Sequence, residues 1–156
     1  MKVATEPCYI YNDKLSIVKF KKSEIILEKL LHKDITEAII EAYYNVYSEL
    51  GYGFLERVYQ NAMIIELKNA GFDIEAQKRI NVSYKNSIVG DYFADIVVEN
   101  TVILELKASE RLIHENELQL LNYLRATEIE IGLLFNFGKK AEFRRKIFTN
   151  DRKRLN

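Results

Sequence analysis

The apolar residues change period near residue 72, and that change restricts the chain more than any other feature. Before it, "KDITEAIIEAYYNVYSEL" and the stretch from Phe54 to Ala70 repeat at helical spacing. After it, "EAQKRINVSYK", "SIVGDYFADIVVE" and "TVILELKAS" are rich in β-branched and aromatic residues, which suits strands. The turn-like triplets "KNS" and "ENT" separate these runs and predict an antiparallel meander. "HENELQLLNYLRAT" restores helical spacing through Leu118, Leu121 and Leu124, and "EIEIGLLFNF" reads as a further buried strand. The expected order is helix, helix, three strands, helix, strand, then a tail able to pair as another strand, an α/β (α+β) arrangement.

Within the first helix Asp34 is expected as the cap with Glu37 three residues on, and Ile35, Ile39, Tyr43, Val46, Tyr47 and Leu50 share one face. Gly51 and Gly53 end it. The second helix is expected to put Leu55, Val58, Ala62 and Met63 in the core and to stop at Gly71. Tyr43, Tyr44 and Tyr47 make the first helix aromatic-rich, which offers an interface for a protein partner or a second copy.

With 156 residues, 48% hydrophobic and one Pro, the chain suits a single domain over residues 31–156. Residues 1–30, including "CYIYNDKLSIVKFKK", read as an N-terminal extension, an appended strand or arm. One cysteine, Cys8, excludes an internal disulfide framework and fits a reducing cytoplasm. No signal-like apolar segment and no membrane-length apolar run is present, so a soluble cytoplasmic protein is expected. Charge is balanced, 23 basic residues against 23 acidic, and gives no whole-molecule attraction to nucleic acid. The basic residues do gather from Lys139 to Arg154, a patch that suits either a phosphate backbone or an ordinary solvated face.

"VILELKASE" sets Glu105 and Lys107 two residues apart in a run that otherwise wants burial. Alternate residues of a strand share a face, so both charges point one way while Leu104 and Leu106 point the other. A turn near Asn100 brings Asp95, from the preceding strand, opposite or nearly opposite Glu105. Two close carboxylates repel, and a buried one is costly without a cation. A divalent metal resolves the conflict: Mg²⁺ prefers a few carboxylate oxygens, with waters and phosphate completing its shell. Asp95, Glu105 and the backbone carbonyl of Leu106 are candidate ligands, with Lys107 positioning or deprotonating a water or stabilising the phosphorane-like oxygens. A salt-bridged edge pair is the plain alternative, because acid-x-Lys also occurs at Glu66 and Asp151.

"GFLERVYQNAM", "GDYFADIVVE", "ILELKA" and "QLLNYL" together resemble the GxxExxY proteins, a prokaryotic branch of the PD-(D/E)XK nuclease superfamily. Gly53, Glu56 and Tyr59 match the name-giving motif, and the resemblance covers about residues 31 to 149. It implies a restriction-endonuclease-like core, a central mixed sheet with an antiparallel meander flanked by helices. It also implies that Glu56 joins Asp95 and Glu105 at a Mg²⁺ or Mn²⁺ site, with Lys107 catalytic. Gln119 and Tyr123 match the Gln-xxx-Tyr of RecB-type nucleases and share a helix face as substrate helpers beside Tyr59. Gln77 and Asn136 match the pattern without a role derived from their chemistry. Many relatives carry a histidine where this chain has Asn116, with His114 two residues earlier, so a leaving-group helper is absent or shifted. The expectation is a metal-dependent nuclease acting on DNA. The alternative is a nuclease-fold module that binds nucleic acid or a protein partner without useful hydrolysis.

Overall fold

The computed structural model describes residues 32–153, so the expected N-terminal extension lies outside the described residues. Helix α1 (Lys33–Leu50) and helix α2 (Glu56–Asn69) precede strands β1 (Ile74–Tyr84), β2 (Ser87–Val98) and β3 (Val102–Lys107). Helix α3 (His114–Arg125), strands β4 (Ile131–Phe137) and β5 (Ala141–Ile147) and a short 3₁₀ turn (Asn150–Arg152) follow. The sheet runs β1-β2-β3-β4-β5. β1–β2, β2–β3 and β4–β5 are antiparallel, and β3–β4 is parallel because α3 carries the chain back between them. This is a mixed α+β fold, a five-stranded sheet flanked by helices. No helix among the described residues is long and apolar enough to cross a membrane.

Both hairpins depend on tight turns. Lys85 and Asn86 in one, and Glu99 and Asn100 in the other, adopt positive φ at both central positions, which matches the right-handed twist of the strands they join. β3 lies between β2 and β4, and every residue from Val102 to Leu106 is buried.

The two faces of the sheet carry different cores. On one, α3 delivers Leu120, Tyr123 and Leu124 against Ile80, Val97, Ile103 and Leu134. On the other, Tyr43 of α1 stacks on Phe135 at 4.4 Å, and Tyr59 of α2 stacks on Phe137 at 4.1 Å. The Tyr43 hydroxyl donates to the Asn136 carbonyl at 2.6 Å and accepts from the Glu142 amide at 2.9 Å, and burial raises its pKa. Tyr47 donates to the Gly138 carbonyl at 2.8 Å. The aromatic face of α1 expected to meet a partner is therefore largely turned inward onto β4 and β5, with Tyr44 alone of the three exposed.

Three further expectations are corrected. Asp34 lies inside the first turn of α1, where its charge favours the helix N-terminus, rather than at the cap. In α2 the buried face is Tyr59, Gln60, Met63 and Leu67, while Leu55 is 81% exposed and Val58 is exposed too. The stacking of Tyr59 on Phe137 fixes that rotation; its hydroxyl also donates to the Gly51 carbonyl at 2.9 Å, across a turn held by positive φ at Gly51 and Gly53. In α3, Leu118 is exposed and Leu120 takes the core position, because Gly132 of β4 leaves a notch that the Leu120 side chain fills.

A Cβ at Gly132 would stand 2.5 Å from Leu120 Cδ1, far inside contact distance. Gly132→Ala is therefore expected to destabilise the fold by about 1–3 kcal/mol through overpacking. Urea unfolding should show the lower midpoint with an unchanged slope.

Candidate active site at the fork between β2 and β3

The β2–β3 ladder is short. Its pairs are Val98↔Val102, Val97↔Ile103 and Ile96↔Leu104, and the next step of that register carries Asp95 to Glu105. There the pairing ends and the strands part. The amide of Leu106 donates to Asp95 Oδ2 at 2.8 Å, so a carboxylate stands where a ladder carbonyl would otherwise accept. Two glutamines support the aspartate. Gln60 Nε2 of α2 donates to the Asp95 carbonyl at 2.8 Å, and Gln77 Nε2 of β1 lies 3.4 Å from Asp95 Oδ1. Gln77 has a φ of 53°, rare for a residue with a side chain, where β1 faces Asp95.

Glu105 is 2% exposed. Its Oε2 lies 3.6 Å from Lys107 Nζ, an ion pair longer than a hydrogen bond, and its buried Oε1 has no hydrogen-bond partner. Burial is the main force raising its pKa, to about 8; the Asp95 carboxylate adds to the rise and Lys107 opposes it. Asp95, Glu105 and Lys107, from two adjoining strands, are thus brought together on one patch.

Glu56 begins α2 and lines a cavity of about 220 Å³ with Arg57, Gln60, Asp95 and Leu106. Leu106 lines it too, and it is the Leu106 amide that Asp95 engages. Among the described residues no set of three His, Cys, Asp or Glu side chains gathers in metal-holding geometry. The acidic centre is a carboxylate pair, with Glu56 near Asp95 at the cavity.

The remaining candidates divide by contact. Gln119 Nε2 donates to the Tyr123 hydroxyl at 2.8 Å, so the two act as one unit on α3, close enough to Glu105 and Asp95 for both carboxylates to help burial raise the Tyr123 pKa. Tyr59 is fully buried, and its hydroxyl meets the backbone of Gly51 and Phe54; it packs and anchors a turn instead of facing a substrate. Asn136 pairs with the backbone of Ser109 through both ends of its carboxamide, which pins the loop leaving Lys107. Asn116 accepts from the Ile113 amide at 3.1 Å as a cap of α3. Gln60 escaped the sequence reading. Its spacing of four from Glu56 was the available signal, but its partner is a backbone carbonyl, which no motif encodes.

Burial of Glu105 fixes a sign for pH dependence. Its folded pKa near 8 exceeds the ordinary 4.5, so its contribution to stability is complete below about 4.5 and is lost as pH rises through 8. Glu105→Gln, which removes the ionisable group, should leave a protein more stable than wild type at pH 9 by on the order of 2 kcal/mol, and little different near pH 4. Thermal unfolding across that range checks it.

The sequence model of the PD-(D/E)XK nuclease superfamily matches residues 33–146, well over half of the chain. A solved structure described as "Crystal structure of SSO0001" is similar over 80% of this chain and 63% of its own, with 18% sequence identity and a TM-score of 0.48. This chain thus spans less than two thirds of that one. No curated protein matches the sequence. With a family match that runs from the start of α1 nearly to the end of β5 and takes in Asp95, Glu105 and Lys107, the chain belongs to the PD-(D/E)XK nuclease superfamily.

Proposed function

We propose that this protein is a Mg²⁺- or Mn²⁺-dependent nuclease of the GxxExxY type that hydrolyses phosphodiester bonds in DNA in the cytoplasm. The observation that carries the reading is the buried, unpartnered Glu105 Oε1 beside the Asp95 carboxylate. Lys107 answers only one oxygen of this carboxyl, and a hard cation with oxygen ligands would answer the other and favour the ionised form that burial and the second acid oppose. Asp95 and Glu105 would hold the ion, with the Leu106 carbonyl and Glu56 as further oxygen donors. When bound, the cation supplies positive charge against the phosphate and lowers the pKa of water.

The chain's own residues do the rest. The Leu106 amide and Gln77 fix the Asp95 carboxylate, so its orientation is set before substrate arrives. Lys107, largely buried beside Glu105, faces the non-bridging phosphate oxygens, where its ammonium stabilises the charge that develops as water attacks. Water oxygen forms the new bond to phosphorus and gives up a proton to solvent, while the bond to the leaving sugar oxygen breaks and that oxygen takes a proton from solvent. Gln119 and Tyr123 stand beside the pair and orient the strand. A second reading, a nuclease-fold module that binds nucleic acid or a protein partner without hydrolysis, draws on the lack of a three-acid cage among the described residues.

Titration calorimetry with Mg²⁺ or Mn²⁺, and cleavage of labelled linear, circular and single-stranded DNA, decide between them. The nuclease reading expects metal binding that Asp95→Asn abolishes, and cleavage that falls about 100-fold or more in Asp95→Asn and Lys107→Met. Asp95-independent metal binding, or none, removes the hydrolytic reading.

A further inference from the structure

A second cavity, larger than the one beside Glu56, shares Gln119 and Tyr123 with the chemistry proposed above, while the rest of its lining lies outside it. It is a cleft of about 760 Å³ between the β1–β2 ribbon and α3. Its origin is the fork itself: β2 pairs with β3 only from Ile96 to Val98, so from Ser87 to Asp95 it pairs with β1 alone and the ribbon stands clear of the sheet. Tyr92 lies three residues before Asp95 on that ribbon, and its ring centre is 6.0 Å from that of Tyr123. Tyr123, which lines the cleft, is near enough to Glu105 and Asp95 for both carboxylates to join burial in raising its pKa, so the cleft lies beside the carboxylate pair.

Its lining has a definite chemistry. The Tyr92 ring is 49% exposed, an aromatic face with no burial to explain it. Asn81 and Asn122 also line the cleft, and their carboxamides make no hydrogen bond among the described residues. Each offers a donor and an acceptor side by side, the complement of a nucleobase edge. Arg125 and Glu115 offset one another, so the cleft has no net charge with which to hold phosphates.

Charge elsewhere sharpens the choice of strandedness. Within the stretch from Lys139 to Arg154, expected as a phosphate-binding patch or a solvated face, three cations are engaged by the chain itself: Arg144 and Lys146 pair with Glu117, and Lys153 donates to the carbonyls of Thr127 and Ile129 at 2.9 and 2.7 Å. A duplex is held chiefly by neutralising its phosphates, and its Watson–Crick edges and base faces are taken up by pairing and stacking. A single strand presents its bases for stacking, worth about 1–3 kcal/mol each on aromatic side chains.

We infer that the cleft between the β1–β2 ribbon and α3 binds the unpaired bases of a single-stranded nucleic acid whose backbone crosses the Asp95–Glu105–Lys107 patch. This rests on the nuclease reading for the direction of the strand and adds the substrate class. Asn81, Tyr92 and Asn122 become its base-contacting residues.

Fluorescence anisotropy with full-length protein in EDTA, where cleavage cannot occur, tests it. Three labelled probes of equal length are compared: a mixed-sequence single strand, its blunt duplex, and an abasic strand carrying the same charge without bases. The single strand should bind at least about 10-fold more tightly than the duplex or the abasic strand. Tyr92→Ala and Asn122→Ala should each weaken single-strand binding by about 5-fold or more with unchanged unfolding temperature, and Tyr92→Phe should retain it. Equal or tighter duplex binding, equal abasic binding, unaffected variants, or no binding of any probe overturns the inference. The metal titration is read separately. Its failure would remove the hydrolytic reading while leaving this assay interpretable, and Asp95-dependent metal binding with duplex-preferring association would remove the cleft assignment alone.

Discussion

A single hydrogen bond organises this molecule: the Leu106 amide donates to Asp95 Oδ2 at 2.8 Å, where a strand carbonyl would ordinarily accept. Had β2 and β3 continued to pair, their backbones would have satisfied one another and no opening would exist between them. By answering the Leu106 amide with a side chain, the sheet keeps that donor paired and still lets the strands diverge. The cavity beside Glu56, the free-standing β1–β2 ribbon and the meeting of Asp95 with Glu105 all follow from that divergence.

The cost appears at Glu105. A carboxylate 2% exposed, with one oxygen unpartnered and a second acid nearby, is a local conflict in a sheet whose other inward positions on β3 are apolar. Gln77 adds another, a φ of 53° in a strand. Departures of this kind from otherwise consistent packing are expected where function, not stability, selects the residue. The surroundings are built to hold them: Gln60 fixes the Asp95 backbone, Asn136 fixes the loop after Lys107, and stacked Tyr59 and Phe137 lock α2 against β4.

The strands were legible because local chemistry wrote them. The "KNS" and "ENT" turns sit where chain direction reverses, and strict alternation put Glu105 and Lys107 on the face opposite Leu104 and Leu106. Helix faces were less legible. In α2 and α3 apolar residues occupy adjacent positions, so two stripes compete, and the winner depends on distant shapes such as the Gly132 notch and the Phe137 ring. At the site, Asp95 and Glu105 could be paired by counting from the turn, whereas Gln60 acts on a backbone carbonyl and Gln77 depends on a left-handed backbone. Gln60 does stand four residues from Glu56, and Gln77 matches the family pattern, but spacing alone assigns neither its role. The tyrosines of α1 misled for a related reason: aromatic surface suited to a partner is equally suited to the chain's own sheet.

Titration of the Glu105 carboxyl carbon by NMR, with and without Mg²⁺, tests the central claim most directly. A buried acid crowded by Asp95 and answered by a cation should titrate near 8 in the metal-free protein and well below that when Mg²⁺ is saturating. A midpoint near the ordinary 4.5, unmoved by the ion, would contradict it.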